Sequence, residues 1–145
     1  MLAIARRLVA LILVLPPVLA VASSSDLDAA ETRAVAFLEK VYAGKQLKDK
    51  DWLTKQMRNS APLQGFGGLG ALVKSSQQMA EKHGGLKGIK IIERQDLGRG
   101  VFQIRAEVEF KKSLQIDTGS TAIAREDLIW TIRVRREQDR LKLEF

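Results

Sequence analysis

The sequence predicts an α+β domain in which N-terminal helices pack on a strongly curved antiparallel sheet that forms a cone. Two observations carry this. Apolar residues recur at helical spacing as far as Gly84-Gly85 and at every second position after it. The later segments alternate one apolar with one polar residue, the mark of strands with a buried and a wet face. Helices first and strands after is an α+β order, and 145 residues make about one domain.

The first helix is expected over Asp26–Ala43, where Ala30, Ala34, Phe37, Leu38 and Val41 form one stripe. Ser25-Asp26-Leu27-Asp28 resembles a capping box ahead of it, and Gly44 ends it. Asp49 caps a short second helix carrying Trp52, Leu53 and Met57 on one side. Asn59 to Gly70 holds Pro62 and four glycines and reads as a loop. Leu69, Leu72, Val73, Met79, Ala80 and His83 mark a third helix.

Ile89 and Ile91 begin the strands, with Ile92 breaking the alternation. Phe102, Ile104, Ala106, Val108 and Phe110 follow on one face; Leu128, Trp130, Ile132 and Val134 on the next; then Leu141, Leu143 and Phe145, with Lys142 and Glu144 on the wet side. The apolar residues of the two long strands are all even-numbered, so opposed residues must sum to an even value. A three-residue loop, Thr118-Gly119-Ser120, would set Val108 beside Trp130, Ala106 beside Ile132 and Glu107 beside Thr131. A turn near Glu137-Gln138-Asp139 closes the last hairpin.

Residues 1–22 read as a secretory signal peptide, leaving 23–145 as a single domain. Arg6 and Arg7 precede the apolar run Leu8–Leu15, Pro16-Pro17 breaks it, and Ala20-Val21-Ala22 supplies the small-x-small cleavage pattern before Ser23. Leu8 to Ala22 falls short of the roughly 20 apolar residues of a spanning helix. The expected location is periplasmic or secreted, with a retained inner-membrane anchor as the alternative.

The chain carries 24 Lys and Arg against 17 Asp and Glu, a net charge of +7, with 46% apolar and 28% charged residues. That mixture argues against a disordered chain and a multi-span membrane protein. The absence of cysteine excludes disulfides, thiolate metal sites and a cysteine nucleophile, and the single histidine, His83, leaves no second imidazole for a His-rich metal site. No cofactor or metal site is expected.

Gly65-Phe66-Gly67-Gly68-Leu69-Gly70 matches G-x-G-x-x-G, yet no strand precedes it, as a dinucleotide site requires. His83 suits the carbonyls of a helix end. Glu107 and Glu109 share a strand face with Arg105 and read as ion-pairing residues rather than an acid/base pair. Arg125, Arg133, Arg135, Arg136, Arg140 and Lys142 cluster toward the C-terminus, but Glu107, Glu109, Glu126, Asp127 and Glu137 intersperse them, giving a solvated mixed face rather than a nucleic-acid surface.

The segments AVAFLEKVYAGKQLKDKDWL and GLGALVKSSQQMAEKHGGLKGIKIIE, with the strands from Val101 and from Leu128 to Phe145, resemble the nuclear-transport-factor-2-like superfamily. Within it, the chain is similar to small exported bacterial proteins of unknown function. Many of those are lipoproteins; this chain departs from them in having no cysteine. The resemblance to ketosteroid isomerase, a member of the superfamily, places that enzyme's oxyanion-binding tyrosine on Phe37, which has no hydroxyl. Its general-base aspartate would fall between Arg58 and Val73, where there is no acid. Tyr42, five residues after Phe37, lies elsewhere on the helix and does not replace the lost donor.

The expected cone lining is Phe37, Leu72, Met79, Phe102, Ile104, Val108, Trp130 and Ile132, without carboxylate, hydroxyl or imidazole. Such a lining holds apolar matter and moves no protons. The sequence thus points to an exported, non-catalytic binding protein, holding a small apolar ligand in the cone or an envelope protein at the sheet. It would be a monomer or a sheet-mediated homodimer, with no nucleic acid and no required membrane contact. An assembly component of a secretion-type complex is the alternative, and an isomerase or lyase of the ketosteroid isomerase kind the third reading.

Overall fold

The computed structural model describes residues 24–112 and 128–145. The expected signal peptide and cleavage site, the Thr118-Gly119-Ser120 loop and Arg125, Glu126 and Asp127 lie outside them. Helix α1 runs Ser24–Tyr42 and buries Ala30, Ala34, Phe37, Leu38, Val41 and Tyr42, so the expected stripe is the buried one. It begins two residues before Asp26 and takes in Ser25, so the Ser25–Asp28 motif lies inside its first turns rather than ahead of them. Gly44 follows with φ +70°, and a Cβ there would lie 2.3 Å from the Gln77 side chain.

The second helix of the sequence reading is two single turns, α2 (Asp49–Trp52) and α3 (Lys55–Arg58). Between them Leu53 is extended and forms a parallel bridge with Leu143, and the Thr54 N–H donates to the Leu143 carbonyl at 3.2 Å. Sheet pairing outcompetes helix continuation here because Leu53 and Thr54 satisfy the backbone groups of an edge strand. The buried Thr54 hydroxyl then caps α3, accepting from Met57 N at 3.1 Å.

The expected loop between Asn59 and Gly70 is helical. Helix α4 spans Ala61–Phe66, with the Ser60 hydroxyl as its cap and Pro62 in its first turn, where proline costs no hydrogen bond. Gly67, left-handed at φ +105°, ends α4 and opens α5 (Gly68–Lys82). The G-x-G-x-x-G run is therefore a junction between helices.

Among the described residues four strands form an antiparallel meander in the order β1 (Leu86–Gly98), β2 (Val101–Phe110), β3 (Ile129–Glu137) and β4 (Arg140–Glu144). Irregularities interrupt β1 at Leu86/Gly88, Ile91/Glu93 and Asp96/Gly98. Such bulges bend a strand and increase its twist, and the middle one absorbs Ile92, the residue that breaks the alternation. Gln138 and Asp139, both at positive φ, make the two-residue turn between β3 and β4.

Opposed residues of β2 and β3 have even sums, as face parity demands, but Ala106 faces Trp130 and Ile104 faces Ile132. The expected pairs of Val108 with Trp130 and Ala106 with Ile132 are each one pleat repeat out. A shift of two residues keeps every side chain on its face, so alternation cannot detect it. Glu107 consequently lies opposite Ile129, not Thr131. Lys142, expected on the wet side of β4, is buried, and its ammonium donates to the Lys50 carbonyl.

Candidate functional site

All eight residues expected to line the cone meet in one core. Phe37, Phe102, Ile104, Val108 and Ile132 are buried; Leu72, Met79 and Trp130 are partly buried against them. Trp130 is thus a half-open edge of the core rather than a closed member.

Aromatic rings run in contact between the helices and the sheet. Trp52 lies 5.9 Å from Phe37, and Phe37 5.5 Å from Phe145. Phe145 meets Trp130 at 5.4 Å, and Trp130 meets Tyr42 at 6.4 Å. Tyr42 meets Phe110 at 5.7 Å, and Phe110 stacks on His83 at 5.4 Å. Each ring lies within 5.4 to 6.4 Å of the next, so the contacts run as one continuous aromatic chain.

The interior is not free of hydroxyls, contrary to the sequence reading. Tyr42 is 5% exposed, and its oxygen accepts from Trp130 Nε1 at 3.0 Å. Burial raises its pKa above the ordinary value, and the Trp130 bond opposes this with the smaller effect. A phenol held in its neutral form packs α1 against β3. Its signal in the sequence is the helical spacing of Tyr42 from Leu38, which puts both on the buried stripe of α1.

His83 is the residue after α5, where its backbone N–H meets the carbonyls of Met79 and Ala80. Its Nε2 is buried without a hydrogen-bond partner among the described residues. Glu107 faces Lys90 across the β1–β2 ladder, and Arg105 bonds Glu93 at 3.3 Å. Arg135 approaches Glu144 at 3.2 Å, and Arg140 approaches Asp51 at 3.4 Å. The C-terminal basic residues are therefore interleaved with acids.

A groove of about 380 Å³ opens where β3 and β4 pass beside the α3–α4 junction. Gln56, Met57 and Ser60 form one wall; Thr131, Arg133, Glu144 and Phe145 form the other. Arg133 and Glu144 are partners in the β3–β4 ladder. None of the eight expected lining residues borders this groove. Two further depressions each touch one of them, Phe102 in about 200 Å³ and Val108 in about 250 Å³. Among the described residues no group of three or more His, Asp or Glu is placed to hold a metal ion, and no helix is long and apolar enough to cross a membrane.

Helices followed by a curled four-stranded antiparallel sheet define the NTF2-like fold, and this chain has it. Among solved structures it is similar to a Campylobacter jejuni protein whose assignment as an NTF2-like transpeptidase is provisional. The two superpose with a TM-score of 0.54 at 16% identity, covering 79% of this chain and 97% of that one. At that identity the likeness carries the fold and no activity. No protein-family model matches the chain, and no curated relative is found.

Proposed function

We propose that this is an exported binding protein without catalysis, and that it takes a protein partner at the groove between β3–β4 and the α3–α4 junction. One observation carries the choice of place: aromatic rings are in contact through the interior, whereas the groove offers about 380 Å³ beside Met57 and Phe145. That volume suits one or two side chains of a partner or a small ligand. Thr131 and Arg133, both exposed, carry the groove onto the outer face of the sheet, where a protein surface can reach it. The export reading rests on residues 1–22, as argued from their sequence.

The competing reading is acyl transfer, the activity in the designation of the Campylobacter jejuni protein. That chemistry needs a nucleophile within hydrogen-bond reach of a base. The chain has no cysteine. His83 Nε2 has no hydrogen-bond partner among the described residues, and the Ser60 hydroxyl serves as a helix cap. These features favour binding over turnover.

The test is native mass spectrometry of the protein purified from its own envelope, beside Thr131→Arg, which fills the groove from an exposed position. A co-purifying protein lost in Thr131→Arg at an unchanged unfolding midpoint supports the proposal. A stoichiometric apolar small molecule retained by both forms, or measurable turnover, overturns it.

A further inference from the structure

Arg33 projects from α1 over Trp52, its guanidinium carbon 3.6 Å from the ring centroid. Its Nε donates to the Leu141 carbonyl at 3.2 Å and its Nη2 to the Asp51 carbonyl at 2.6 Å. Stacking and two backbone bonds fix the plane of the guanidinium, so little rotamer entropy remains to be lost on binding. Both acceptors are neutral carbonyls, so neither cancels its charge. The remaining terminal nitrogen, Nη1, has no acceptor among the described residues.

The space beside it is a depression of about 540 Å³, lined by Arg33, Asp51, Trp52, Arg140 and Leu141. It shares no residue with the groove. Arg140, the first residue of β4, contributes a second guanidinium. Among the described residues it meets the carboxylate of Asp51 at 3.4 Å, between two side chains that are 68% and 48% exposed, a loose contact. Lys142, two residues on, is buried with its ammonium on the Lys50 carbonyl, another neutral acceptor. The lining of the depression thus holds two guanidiniums, Arg33 and Arg140, and one carboxylate, Asp51.

We propose that this depression binds an oxyanion group, a carboxylate or a phosphate, between the guanidiniums of Arg33 and Arg140. The fixed Arg33 supplies a preformed donor edge, and Arg140 closes from its exposed position. Trp52 and Leu141 give the site an apolar border that favours an oxyanion borne on an organic body. Loss of hydration lowers the pKa of Arg33, Asp51 opposes that, and Arg140 adds to it. An incoming anion relieves both the lost hydration and the repulsion between the arginines. Asp51 competes with it.

The experiment titrates sodium phosphate, sodium benzoate and sodium chloride into the full chain, following the Arg33 Nε–Hε resonance. Phosphate or benzoate should give a saturable shift that chloride at equal ionic strength does not. Arg140→Gln, at an exposed side chain, should weaken binding about tenfold or more. Asp51→Asn should tighten it, because the backbone carbonyl that holds Arg33 is kept. Tighter benzoate than phosphate assigns an organic carboxylate; the reverse assigns a phosphate. A shift that never saturates, that chloride reproduces, or that Arg140→Gln leaves unchanged overturns the site.

Discussion

The indole Nε1–H of Trp130 donates to the hydroxyl of Tyr42 at 3.0 Å, joining β3 to the last turn of α1. Tyr42→Phe removes the acceptor and leaves the indole N–H half-buried without it. Denaturant unfolding should show a loss of about 1–2 kcal/mol. An unchanged midpoint would mean that water replaces the phenol without cost.

The same phenol gives the chain an alkaline signature. Tyr42 is the only tyrosine, and burial raises its pKa above 10.0. The folded state therefore holds the phenolic proton more tightly than the unfolded state. The stability this confers is complete below about pH 10 and is lost as pH rises through the folded pKa. Tyrosinate absorbance should appear at higher pH in native protein than in urea-unfolded protein. Stability should also fall more steeply above about pH 10 in the parent than in Tyr42→Phe.

Thr54 is 1% exposed and closes both the α2–α3 break and the edge of β4. Thr54→Ala should cost about 1–2 kcal/mol through the lost cap. Amide exchange of Met57, whose N–H the hydroxyl accepts, should accelerate before that of Ile104 in the central sheet.

Phe102→Asp puts a carboxylate among apolar groups at a site 4% exposed and should abolish folding or lower stability by several kcal/mol, about 4 or more. Glu107→Gln should change stability by less than about 1 kcal/mol. His83→Ala loses only a ring stacked on Phe110 and should cost about 1 kcal/mol. Thermal melts of the three variants separate these outcomes.

Alternation placed the buried face of β2 correctly at every position from Phe102 to Phe110, because a sheet with one dry face leaves no other solution. The helical stripe of α1 was legible for the same reason. The α2–α3 break was not, since only the distant Leu143 explains why Leu53 is extended. In the stretch after Asn59, glycine and proline read as breakers; Pro62 sits where a helix tolerates it and Gly67 joins two helices. Register escaped detection because a two-residue slip preserves each face. The groove and Arg33 were invisible for a related reason: α1, β4 and the short helices meet only in three dimensions, and Arg33 occupies an ordinary polar position on its helix.

We propose recognition at the groove beside Phe145 rather than among the interior rings. The most direct measurement is a fragment screen by ¹H–¹⁵N and methyl chemical-shift mapping on the full chain. Binders should move the amides of Met57, Ser60, Thr131 and Phe145, leaving the methyls of Val108, Ile104 and Ile132 in place. Saturable shifts confined to those interior methyls would contradict the account.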